Sequence, residues 1–117
     1  MKLTEVQFGS LVPIDGYGPG MFRVGGQVFQ GAVLVLPDRA GPWGGLEDGA
    51  ALLALAGQVD VIFCGMGPEI APLPRALRAA LDAAGIGAEV MNTPAACRTY
   101  NVCLSEGRRV AAALLPV

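Results

Sequence analysis

Residues Gly87 to Leu115 read GAEVMNTPAACRTYNVCLSEGRRVAAALL. The run divides into a short strand, one helix with its own start and stop signals, and a second strand. Thr93 suits the N-cap and Pro94 the first helical position, because a proline there gives up no needed N–H. Gly107 follows Glu106 as a left-handed C-cap, and Arg108 and Arg109 then lie beside the negative end of the helix dipole. Val110 to Leu115 is too short and too apolar for another helix, so it reads as a final core strand. A helix between two buried strands puts the chain in the α/β class.

Working outward, Leu73, Leu77, Leu81 and Ala84 recur at helical spacing and form one apolar stripe, which Gly85 ends. Before it, Val59 to Cys64 reads as a buried strand, and Gly87 to Met91 as another. Leu46 to Ala56 reads as a first helix flat on the sheet, and Pro37 to Gly45 as a loop whose Trp43 lids the core edge. Ala32 to Leu36 is an uninterrupted apolar run, the mark of a strand covered on both faces. It continues a strand from Gln27, which pairs back through Gly25-Gly26 with Phe22 to Val24 as a hairpin. Pro13 to Gly20 reads as turn chemistry throughout, and Met1 to Ser10 as a short strand or extended arm. This order implies a mixed sheet with helices against it, a single domain over residues 1–117. The tight turn at Gly107 favours a last strand antiparallel to the others.

The composition bounds the function. Of 117 residues 53% are hydrophobic and 15% charged, with a formal net charge of -2. No basic stripe is present to neutralise phosphates, which argues against nucleic acid. A core can form without staples, and the surplus of apolar residues points to a protein partner or a homodimer. No stretch reaches the roughly 20 apolar residues of a membrane helix, so no direct membrane insertion is expected. The N-terminus lacks the apolar run of a signal peptide, and the expected location is cytoplasmic. There are three cysteines and no histidine. Cys97 and Cys103 lie about 9 Å apart along one helix, too far for a bridge. No metal site and no cofactor follow from these residues.

Two strand-to-helix loops are placed side by side at the carboxyl ends of the sheet: Gly65-Met66-Gly67 with Glu69, and the Thr93 helix start. That edge is the usual ligand crevice of an open α/β sheet, and its glycines let backbone N–H groups approach an anion. The same glycines also serve as a plain tight turn. Cys97 sits one turn into its helix but lacks a histidine base, so it reads as a packing residue, as do Cys64 and Cys103. Arg98 opposes the dipole of its own helix. It therefore needs a carboxylate (Asp15 or Glu69), loop carbonyls, or a bound anion. Pairing with Asp15 would pin the Pro13–Gly20 loop over the strand ends. Asn101 and Tyr100 suit hydrogen bonds to loop backbone. No nucleophile with a base and no paired carboxylates appear, which weighs against an enzyme.

The run Thr93-Pro-Ala-Ala-Cys-Arg-Thr-Tyr-Asn101, followed by Glu106-Gly-Arg and a short apolar strand ending in Leu115-Pro116, resembles a specific family. It is the small, largely uncharacterised family that includes a mitochondrial respiratory complex I assembly factor and an adipogenesis-associated domain protein. The resemblance extends to the Tyr17-Gly18 and Phe22-Arg23 region, Val61 to Gly67 and Leu73 to Gly85. It implies an α/β three-layer fold with a mixed central sheet, an N-terminal β-hairpin region and an antiparallel C-terminal strand. It also implies a non-enzymatic, assembly-type role with no catalytic residues to carry over.

Two functions remain open. One is a protein-interaction module that assists assembly of a membrane-bound complex. The other is a small-molecule or anion-binding protein, or a cryptic enzyme, using Gly65, Met66, Gly67, Glu69, Thr93, Arg98 and Asn101.

Overall fold

The computed structural model describes residues 5–8 and 10–117. Its elements in chain order are β1 (Val6–Gln7), β2 (Ile14–Gly18), β3 (Met21–Val24), β4 (Gln27–Gln30), β5 (Val33–Leu36) and β6 (Arg39–Pro42). A 3-10 turn (Gly45–Glu47) leads to α1 (Gly49–Leu53), β7 (Val61–Met66), α2 (Arg75–Ala83), β8 (Gly87–Met91), α3 (Thr93–Ser105) and β9 (Val110–Leu115). The large sheet has the order β1-β6-β5-β9-β7-β8, and β2-β3-β4 form a smaller antiparallel sheet.

Alternation along the central strands divides the core in two. Val110, Ala112 and Leu114 of β9, with Phe63 of β7, face α3 and the small sheet, where Phe22, Phe29, Ala96 and Tyr100 meet them. Ala111 and Ala113, with Ile62 and Cys64, face the opposite way onto Leu52, Leu77, Leu81 and Trp43. The period of two puts successive side chains on opposite faces, and both faces are covered. The result is the expected three-layer α/β fold with a mixed central sheet and an N-terminal hairpin region.

The direction of β9 is antiparallel on one side only. It runs antiparallel to β5 but parallel to β7, which is itself parallel to β8. The reason is the helix: α3 carries the chain back along the sheet, so the strand after it repeats the direction of the strand before it.

Several local expectations need correction. Pro13–Gly20 is not turn throughout, because Ile14–Gly18 forms β2 against β3, with a register shift between Ile14 and Gly16. A bulge on an edge strand tolerates the Asp-Gly pair that masked the strand in sequence. The strand from Gln27 does not run to Leu36. Gly31, at φ 79°, breaks it and passes the chain from the small sheet to the large one. The Pro37–Gly45 loop contains β6, which pairs Arg39 with Leu36 across a two-residue turn. Leu46–Ala56 yields only a 3-10 turn and the five-residue α1. β8 is an edge strand with Gly87 and Glu89 exposed, not a buried one. Leu73, Leu77 and Leu81 are buried as the stripe requires, although Leu73 precedes α2 and Ala84 is exposed. Part of the proposed N-terminal arm forms β1, while residues 1–4 and 9 lie outside the described residues.

Candidate functional site

The carboxyl ends of β7 and β9 and the start of α3 meet at one residue, Thr93, which is fully buried. Asn92 supplies the N-cap through its side chain, which accepts from the Ala95 amide at 2.8 Å. Thr93 is therefore the first helical residue, so the helix starts one position earlier than the sequence suggested, and the Thr93 hydroxyl is released from capping. That hydroxyl donates to the Leu115 carbonyl at 2.7 Å and accepts from the Gly67 amide at 2.9 Å. The Thr93 amide in turn donates to the Gly67 carbonyl at 2.8 Å. Such an approach needs a glycine at position 65. A Cβ there would lie 2.9 Å from the Thr93 hydroxyl and 3.0 Å from its Cα.

Of the residues expected in the crevice, Gly65, Gly67 and Thr93 are brought together, while Asn101 is bonded to Ile14. The Gly67 amide is committed to Thr93, so it is not free to cradle an anion. Met66 remains half-buried at the rim, Glu69 is exposed, and Ile70 is 64% exposed.

Arg98 and Asp15 are not brought together. The Asp15 carboxylate accepts from the Gly26 amide at 2.9 Å and so secures the β3–β4 turn. Arg98 is exposed on α3, and its side chain has no hydrogen bond or ion pair among the described residues. Solvation of an exposed guanidinium suffices to offset the helix dipole, which is why no carboxylate was needed. The pinning is done by Asn101. Its amide donates to the Ile14 carbonyl at 2.9 Å, and its carbonyl accepts from the Ile14 amide at 2.8 Å. One side chain thereby mimics a strand partner and ties β2 to α3.

The three cysteines are free and buried. Burial pushes the Cys64 and Cys97 thiols up to about 11, against a weaker opposing pull from Arg78 and Arg98 respectively. A thiol so placed is protonated at neutral pH and is a poor nucleophile. Tyr100 is fully buried, and its hydroxyl has no hydrogen-bond partner among the described residues. Burial first, and Asp38 second, raise its pKa. Among the described residues no group of three His, Cys, Asp or Glu could hold a metal ion.

An open hollow lies at the other end of the sheet, where sequence reading placed no site. It is a cleft of about 330 Å³ with Leu36, Val59, Leu104 and Val110 among its lining residues and arginines at its edge. Its residues come from the helix stop at Gly107–Arg109 and from distant loops and strand ends, and the helix stop alone does not mark a cleft.

Comparison with known proteins places this arrangement. The profile of a family described as "Protein of unknown function (DUF498/DUF598)" matches residues 14–115. An uncharacterised protein of Rhodobacter capsulatus is 57% identical over 100% of this chain and 94% of its own length. The human NADH dehydrogenase [ubiquinone] 1 alpha subcomplex assembly factor 3 is 31% identical over 99% of this chain, which spans 67% of that relative. The crystal structure of an outer membrane protein from Bartonella henselae is similar, with a TM-score of 0.84 and 36% identity. That match covers 94% of this chain and 98% of the other.

Proposed function

The chain belongs to the DUF498/DUF598 family of unknown function, and from that membership we propose that it is a non-enzymatic protein-interaction module assisting assembly of a membrane-bound, respiratory-type complex. The observation that carries the reading is the likeness to assembly factors over nearly the whole chain. The geometry supports it in a second way. Gly67 and Thr93 satisfy each other beside Gly65, so this reading takes the strand ends as a surface and not a cradle. Half-buried Met66 and exposed Glu69 and Ile70 would form the docking face there, with Asn101 holding the small sheet in place behind it.

The setting proposed is cytoplasmic, with the partner supplying any contact with a membrane. No helix among the described residues is long and apolar enough to cross one. The alternative, an anion-binding protein or cryptic enzyme at the Gly65–Gly67 loop, has the Gly67 amide already occupied against it.

The test is affinity capture from native lysate followed by mass spectrometry, with Ile70→Asp as the control. A stoichiometric partner that the variant loses supports the module. A self-associated chain alone would make this a homodimer instead. Capture of no partner, beside a thermal shift with a metabolite anion, would favour the alternative.

A further inference from the structure

The pairing of β5 with β9 runs only from Val33 to Val35, against Leu114 to Ala112. Beyond Val35 on one strand and Ala112 on the other no pairing continues, while β5 stays paired with β6 and β9 with β7. The cleft lies at this end of the sheet. Its floor is buried and apolar, formed by Leu36, Val59, Leu104 and Val110. At about 330 Å³ it falls at the small end of the roughly 300–1,000 Å³ that ligand clefts occupy.

Three arginines border it, and they are not equivalent. Arg39 is held by Asp38 at 3.0 Å, Gln58 at 2.8 Å and Glu5 at 3.5 Å. Arg109 is held by both oxygens of Asp60, at 2.7 and 3.3 Å, and by the Gly57 carbonyl at 3.1 Å. Arg108 has no carboxylate in direct contact among the described residues; Asp60, already held by Arg109, feels its charge only through space. The Arg108 guanidinium makes one hydrogen bond among the described residues, donating to the Cys103 thiol at 3.4 Å, a weak acceptor. The helix stop fixes its place. Its amide donates to the Cys103 carbonyl at 3.1 Å and the Gly107 amide to Leu104 at 3.0 Å, the paired bonds of a Schellman end. Its backbone is therefore set, while most of its five guanidinium donors remain available over an apolar floor.

We propose that this cleft is a binding site for a small carboxylic acid with an apolar body, its carboxylate on Arg108 and its stem over Leu36, Leu104 and Val110. One cation without a direct carboxylate contact suits one negative charge. A phosphate monoester, carrying about -1.5 to -2, would call for a second free cation that Arg39 and Arg109 do not offer. The carboxylate–guanidinium pair is geometrically matched, and the apolar surroundings strengthen it. The site is at the opposite end of the sheet from the proposed docking face and does not depend on it.

Titration of the whole chain with octanoate, followed by amide NMR shifts, tests the assignment, with octanol as the uncharged control. Saturable shifts at Leu36, Leu104, Arg108 and Val110 are expected, at least about tenfold weaker for octanol and for Arg108→Gln. Arg108 is exposed, so this variant leaves the core intact, and Leu11→Asp at the cleft edge should weaken binding independently. Absent or unsaturable shifts would overturn the proposal. So would equal binding of octanol, indifference to Arg108→Gln, or shifts centred on another surface.

Discussion

Thr93 and Gly67 hold each other in both directions: each amide donates to the other residue, one to a hydroxyl at 2.9 Å and one to a carbonyl at 2.8 Å. Because the same hydroxyl also reaches Leu115, β7, β9 and α3 share one buried polar node. Thr93→Val keeps the shape and removes the hydroxyl, leaving the Gly67 amide and the Leu115 carbonyl without that partner. Chemical denaturation should show a loss of about 2–4 kcal/mol, with Thr93→Ser losing less. A loss under about 0.5 kcal/mol for the valine variant would show that the node is not stabilising.

Asn101 and Arg98 sit on the same helix and should behave oppositely. Asn101→Ala breaks both bonds to Ile14 and should cost about 1–3 kcal/mol, with faster hydrogen exchange at the Ile14 amide. Arg98→Ala should change stability by less than about 0.5 kcal/mol. Equal losses in the two variants would restore Arg98 as the residue that fastens the small sheet.

This contrast shows how the site was partly legible. The α3 helix was readable because its apolar positions, Pro94 and Gly107 agree with one another. Its start was misplaced by one residue because Asn92 and Thr93 are both good caps, and only the cross-strand bonds of Thr93 decide between them. Gly65, Gly67 and Thr93 could be brought to one edge by strand and helix order. That Thr93 bonds both Gly67 and Leu115 there depends on a convergence of three segments that no local pattern encodes. β2 and β6 were hidden for a different reason. Ile-Asp-Gly-Tyr-Gly and Arg-Ala-Gly-Pro lack the apolar runs of β5 and β9, and their pairing partners impose the extended backbone.

The buried thiols predict a base-side loss of stability. Cys64 and Cys97 are raised to about 11 in the folded chain from an ordinary 9.0. Below the unfolded value both states are protonated and the thiols add no pH dependence. Between about pH 9 and 11 the unfolded chain releases protons that the folded chain retains, so stability falls as pH rises. The slope approaches about 1.4 kcal/mol per pH unit for each thiol. Urea midpoints measured across that window should fall, and the fall should flatten when both cysteines are replaced by alanine. An unchanged slope in the double variant would assign the effect to other groups.

Tyr100 contributes its ring to the core and gains nothing visible from its hydroxyl, which lacks a protein partner among the described residues. Tyr100→Phe should therefore hold stability or raise it, by up to about 1–3 kcal/mol. A measured loss above about 1 kcal/mol would mean that the hydroxyl is hydrogen-bonded in solution.

The strand-end surface is the proposed place where a partner docks. Hydrogen exchange with mass spectrometry, comparing the free chain with the captured complex, reads that surface directly. Protection is predicted across residues 66–70 and 115–117, with the rest of the sheet unchanged. Protection confined to the cleft around Arg108, or none beyond that of the free chain, would contradict it.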